Sequence, residues 1–140
     1  MQSPIAFKVQ AISKSGIDSN WESTAVDLSI TTAIPPVFGG SSAGMSPEDL
    51  YALALANCYL ATFKVIAAKS KLVFESINVE VELFVDKNEN NQMVMKEANL
   101  MASLIGAENP ERAMRLMDKT PENCMILNSV KTKMNYEFKI

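Results

Sequence analysis

The sequence has no histidine and only two cysteines, Cys58 and Cys124, in 140 residues. Without histidine it can build no Ser-His-Asp triad, no Cys-His dyad and no His-based metal centre. Two sulfurs without a CxxC spacing make a poor zinc site, so no metal is expected. Positive charge is sparse too: the net charge is −3 and lysine or arginine nowhere forms a block. A nucleic-acid binder carries a basic stripe, so no nucleic-acid partner is expected. Met1-Gln2-Ser3-Pro4 lacks the charged and apolar regions of a secretory signal, which predicts a cytoplasmic location. Linkers, internal repeats and low-complexity segments are missing as well, leaving a single domain over 1–140 with a modest core. In a reducing compartment thiols rest reduced, so a disulfide between these two cysteines would be transient and catalytic.

What is present reads as an α+β chain. Ile5, Phe7, Val9 and Ala11 alternate with polar residues, the period of a half-buried strand. A polar turn around Gly16, Asp18 and Asn20 leads to a second alternating run, Thr24, Val26, Leu28 and Ile30, so a hairpin is predicted. The stretch from Ile34 to Gly44 is a loop by its prolines and glycines. No Lys-Ser/Thr follows those glycines, so it is not a phosphate cradle. Ser46-Pro47-Glu48-Asp49 is a helix start: a capper, a proline suited to the first position and two acids at the positive end of the dipole. From Leu50 to Ala68 almost every face is apolar. A membrane span has that length, but Lys64 and the many alanines argue for a helix buried at the centre of a fold. Ile77 to Val85 alternate as a strand, Asp86 to Asn91 turn, and Gln92 to about Ile105 return. A second helix starts at Asn109-Pro110-Glu111, with Ala113, Met114, Leu116 and Met117 as its inner stripe. Thr120-Pro121-Glu122 repeats the start signal, which puts Cys124 in the first turn of a short helix. Met134, Tyr136, Phe138 and Ile140 alternate as a last strand. The predicted order is ββ-α-ββ-α-β with mostly antiparallel pairing.

Each cysteine has an ordinary reading beside a chemical one. Cys58, about eleven residues into an apolar helix, fits a small core residue. Cys124, at a helix start, has backbone N–H groups that favour a thiolate, but an ordinary, partly exposed thiol fits equally. Glu80 and Glu82 share one strand face and read as solvated. The nine methionines read as core and interface fillers rather than a copper site. Trp21 and Tyr51 fit packing or a substrate entrance equally well.

The spacing of several short motifs resembles the OsmC/Ohr family, the osmotically inducible and organic hydroperoxide resistance proteins. These motifs are Phe38-Gly39-Gly40, Ser46-Pro47-Glu48-Asp49-Leu50, Ala54-Leu55-Ala56-Asn57-Cys58 and, far downstream, Glu122-Asn123-Cys124. The resemblance covers essentially the whole chain. It implies antiparallel sheets wrapped around a long buried central helix, in an intertwined homodimer with its sites at the subunit interface. It further implies that Cys58 attacks the O–O bond of an organic hydroperoxide and becomes a sulfenic acid, which Cys124 resolves to a disulfide. A dithiol reductant, lipoamide-type in some relatives, would restore the thiols, with no metal or bound cofactor. In the family an arginine in the loop before the helix stabilises the thiolate and is held by the glutamate of the Pro-Glu step. Glu48 matches that glutamate. Ten residues at 1.5 Å rise put it about 15 Å along the helix from Cys58, so the partner subunit or an intermediary would have to connect them. The arginine is missing: its place is Pro36, and none precedes Arg112. Arg112, Arg115, Lys8, Lys14 and Lys64 are the possible substitutes, although a lysine lacks the forked contact. The missing arginine also keeps a second function open, a small-molecule or lipid-binding module with weak or no peroxidase activity.

Overall fold

The alternating residues of the first fifty form a three-stranded antiparallel sheet in the order β1-β2-β3: β1 Gln10–Ile12, β2 Trp21–Ala25 and β3 Leu28–Thr32. The computed structural model describes residues 4–140; Met1 to Ser3, part of the stretch read for a signal, lie outside the described residues. Here the strand count departs from the sequence reading, because the run from Thr24 to Ile30 is not one strand. It folds on itself at Val26 and Asp27, with Ala25 opposite Leu28. Both turn residues have positive φ, 43° and 64°, the conformation of a two-residue hairpin turn. Asp27 tolerates it; a β-branched Val26 there costs on the order of 1–3 kcal/mol. The turn also explains why β1 is short. Gln10 pairs with Thr24, so residues before Val9 would face the turn and find no ladder. Ile5 and Phe7 accordingly stand exposed.

Residues 34–44 form the expected loop. Pro36–Phe38 make a 3-10 turn ended by Gly39 at φ 90°. At Gly40 an added Cβ would lie 1.9 Å from the Ile34 carbonyl oxygen, so glycine here serves a close backbone approach. Helix α1 (Pro47–Lys69) starts as predicted. Asp49 N–H donates to Ser46 Oγ at 3.0 Å, and Ser46 N–H donates back to the Asp49 carboxylate at 2.9 Å, a reciprocal cap.

The chain divides into two compact units, 1–50 and 51–140, and the hydrophobic core lies in the second. Its sheet has the order β4-β5-β6, from β4 Ser76–Lys87, β5 Met93–Ile105 and β6 Lys133–Lys139. β4 and β5 pair antiparallel, with one irregularity at Phe84/Val85, whereas β6 runs parallel to β5. That parallel pair needs a crossover, supplied by α2 (Pro110–Lys119) and α3 (Met125–Ser129). Leu55, Tyr59, Phe63 and Ala67 of α1, spaced four apart, are 0–1% exposed. They meet Ala98, Leu100, Ala102 and Leu104 of β5, and Ala113 and Met117 of α2. Tyr59 stacks on Phe138 with ring centroids 5.6 Å apart, and Phe63 meets Phe74 at 5.5 Å with the rings tilted by 59°. α1 has the length and mean hydropathy, 1.5, of a membrane span, but this stripe is a core stripe. Its other faces stay open: Leu53 and Val65 are 42% and 53% exposed.

Candidate functional site

Cys58 lies next to Tyr59 of the buried stripe, and its side chain is half-buried against the core cluster. Cys124 comes from the other side of the unit. The 3-10 turn Pro121–Asn123 ends on it, with its N–H donating to Pro121 O at 3.1 Å, and its carbonyl accepts Asn128 N–H at 2.9 Å to start α3. The start signal at Pro121 gives this 3-10 turn, and the α-helix itself begins only at Met125, with Cys124 as its cap rather than in its first turn. The exposures are also the reverse of the sequence reading. Cys124 is fully buried and Cys58 is the accessible thiol, because α1 turns only one face into the core while Cys124 is sealed between α1 and the end of α2.

The two cysteines, 66 positions apart, meet in the second unit. The Cys124 thiol donates to Thr120 O at 3.2 Å and lies 3.7 Å from Cys58 O. Two further bonds hold this arrangement. Tyr59 Oη donates to Met117 O at 3.0 Å and ties α1 to the end of α2, while Thr120 Oγ1 donates to Leu116 O at 2.7 Å. Both cysteines are free thiols.

Burial pushes the Cys124 thiol up from 9.0 to about 11, since an unsolvated thiolate is costly. A hydroxyl hydrogen bond from Thr62 works the other way, and the Cys58 sulfur raises it further by charge and by hydrogen bonding. Burial likewise raises the Tyr59 hydroxyl, and also that of Tyr136, which stands nearby with Cys124 as its second cause. The helix-start argument for a Cys124 thiolate thus fails, because α3 has only five residues and desolvation outweighs its few N–H groups. This has a measurable consequence. The unfolded thiol ionises near 9.0 and the folded one near 11, so the native state holds the extra proton between them. Stability from this group is complete below pH 9 and is lost as pH rises towards 11. Under reducing conditions, melting curves across that window should fall more steeply for the wild type than for Cys124→Ala. Parallel curves would contradict the assignment.

Glu48 sits in the first turn of α1, half-buried, and its Oε1 is shut off from solvent with no hydrogen-bond partner among the described residues. Lys8, Lys14, Lys64 and Arg115 are exposed and Arg112 is half-buried on α2; none figures among the groups acting on Cys124. Glu80 and Glu82 face outward with Asn99 and Glu137 on the β4-β5-β6 sheet. Among the described residues no three His, Cys, Asp or Glu gather as a metal site. The sequence reading missed Thr62 and Thr120. Thr62 had a signal, its helical spacing of four from Cys58; Thr120 acts through its carbonyl, which no side-chain pattern reveals.

Known proteins share this fold. An OsmC-like protein of unknown function from Vibrio cholerae superposes with a TM-score of 0.81 at 19% identity, covering 94% of this chain and 98% of that one. An organic hydroperoxide resistance protein OsmC from Legionella pneumophila gives 0.74 at 22% identity over 97% and 98%. An uncharacterized protein of Acinetobacter baylyi is 24% identical over 137 residues, 97% of this chain and 94% of its own. Residues 39–139 match the family model described as OsmC-like protein, and the chain belongs to that family.

Proposed function

We propose that the protein is a thiol-dependent reductase of organic hydroperoxides, in which Cys58 is the nucleophile and Cys124 the resolving thiol. The observation that carries this reading is the approach of the buried Cys124 thiol to a half-buried, accessible Cys58. The organic hydroperoxide resistance proteins of this fold give the substrate class. The Cys58 thiolate attacks the distal oxygen of ROOH, the O–O bond breaks, and the alkoxide takes a proton and leaves as the alcohol. Cys58 is left as a sulfenic acid. Condensation with Cys124 forms the S–S bond and releases water. An external dithiol then reduces the disulfide and is itself oxidised, which in a reducing cytoplasm returns both thiols to rest.

The working form is a homodimer on this reading. Val9, Ala11, Val26, Leu28, Ile30 and Leu50 line an apolar groove of about 460 Å³ in the first unit, and α1 leaves Leu53 and Val65 open. Apolar surface of that extent marks a partner-binding face. The orphan Glu48 oxygen lacks a donor, which a second copy would bring to this orienting carboxylate. The reduced protein should sediment at twice the mass of one chain; a monomer at working concentration counts against the dimer. With excess dihydrolipoamide, hydroperoxide should be consumed catalytically. No consumption, together with tight retention of an apolar ligand, would favour the binding module instead, a reading that rests on Pro36 standing where the family resemblance implies an arginine.

A further inference from the structure

We propose that Tyr59 is a positioning residue for disulfide closure: its hydroxyl clasps the end of α2 to α1 and so holds the Cys124 sulfur against the turn that carries Cys58. The inference rests on the peroxidase reading above and assigns a role within it. The sequence creates the opening for this clasp. Met117 lies in the last turn of α2. In a continuing helix its carbonyl would accept the N–H four residues on, but that residue is Pro121, which has none. Thr120 N–H reaches Met117 O only at 3.3 Å. The Tyr59 hydroxyl supplies the missing donor from across the core, at 3.0 Å. Among the described residues no other hydrogen bond joins α1 to α2. The ring is held in place, since Tyr59 is fully buried, parallel to Phe63 at a centroid distance of 6.4 Å and stacked on Phe138 at 5.6 Å. Burial also raises the hydroxyl well above its ordinary value, so the donor persists at alkaline pH.

Cys124 hangs from the same cap. The Thr120 carbonyl accepts Asn123 N–H at 3.0 Å and the Cys124 thiol at 3.2 Å, and that thiol stands 3.7 Å from Cys58 O. The contacts close a ring. Cys58 and Tyr59 are neighbours on α1, Tyr59 grips Met117, and the chain from Met117 through Thr120 to Cys124 returns to Cys58. The ring matters in one step. When the Cys58 sulfenic acid and the Cys124 thiol condense, the S–S bond forms and the S–O bond breaks. The departing hydroxide takes the Cys124 proton and leaves as water. The sulfenyl sulfur is reduced and the thiol sulfur oxidised, so no outside electrons enter. A disulfide tolerates only a narrow range of cysteine separations, and an intramolecular step is fast only while its partners are held near that geometry. Attack of Cys58 on the hydroperoxide uses the accessible thiol alone and does not depend on where α2 ends.

The test separates the two steps in the full-length reduced protein mixed with one equivalent of cumene hydroperoxide. Alcohol formation reports the first step, and disulfide closure, followed by quenching with a thiol-alkylating reagent, reports the second. Tyr59→Phe keeps the ring and its stacking and removes only the hydroxyl. It should slow closure roughly three- to tenfold relative to alcohol formation, the worth of one hydrogen bond. Phe63→Leu loosens the same core stripe but leaves the hydroxyl in place, and its ratio of closure to alcohol formation should stay near that of the wild type. An unchanged ratio in Tyr59→Phe would overturn the proposal. So would an equal fall of the ratio in Phe63→Leu, since a looser core alone would then be responsible. Diamide gives a route to the same disulfide without hydroperoxide: Cys58 adds to the azo group and Cys124 displaces the hydrazine. If the wild type consumes no hydroperoxide, the peroxidase reading fails, and closure rates of the three proteins under diamide still decide the role of Tyr59.

Discussion

Cys58→Ser should lower hydroperoxide turnover by about three orders of magnitude or more, whereas Cys124→Ser should complete one turnover and stop. A hydroxyl in place of a thiol loses both the nucleophile and the sulfenic intermediate, and removing a nucleophile typically costs a factor of that size. Tenfold in rate is about 1.4 kcal/mol, so the expected loss is about 4 kcal/mol of transition-state stabilisation. Cys124→Ser has a different signature. Its first equivalent of hydroperoxide is reduced at close to the normal rate, after which Cys58 stays as a sulfenic acid that a dimedone-type reagent traps. The asymmetry follows from the structure: Cys58 is accessible, and Cys124 is sealed behind it with its thiol on Thr120 O. Equal activity in both variants and in the wild type would remove the thiols from the mechanism.

Phe63→Ala should destabilise the fold by about 3–5 kcal/mol. Phe63 is fully buried, with Tyr59 at a centroid distance of 6.4 Å on one side and Phe74 at 5.5 Å on the other. Truncation removes the ring's burial and leaves a cavity that a helix–sheet interface cannot close. For a chain of this length the melting temperature should fall by about 10–15 °C. Phe63→Leu, which keeps most of the volume, should recover the greater part. A melting temperature within about 3 °C of wild type for Phe63→Ala would mean that this stripe is not the core of the fold.

Much of this architecture was legible because local chemistry and tertiary packing agree. Ser46-Pro47-Glu48-Asp49 starts a helix by side-chain chemistry alone, and the structure has the reciprocal cap that the residues suggest. The alternation from Ile77 to Val85 appears as β4 because its partner β5 lies opposite along its whole length. Where the two levels disagree, the sequence misleads. Val26 reads as one more apolar residue of a strand, because β-branched residues seldom accept positive φ, yet the fold reverses there. At Cys124 the proline and acid do mark a turn, but its burial comes in part from α1, which lies far away in sequence. The cysteine pair was visible only as two residues in family spacing. The carbonyls of Thr120 and Cys58 that surround the sulfur leave no trace in side-chain patterns.

The central claim is that the two thiols act as one redox pair, and the most direct measurement counts them. Fully reduced protein is given one equivalent of an organic hydroperoxide, the alcohol is quantified, and free thiols are titrated before and after. One alcohol formed for two thiols lost, with Cys58 and Cys124 recovered in a single disulfide-linked peptide pair, is the predicted result. Intact thiols with the hydroperoxide unconsumed would contradict it, and would leave an OsmC-like fold without thiol peroxidase chemistry.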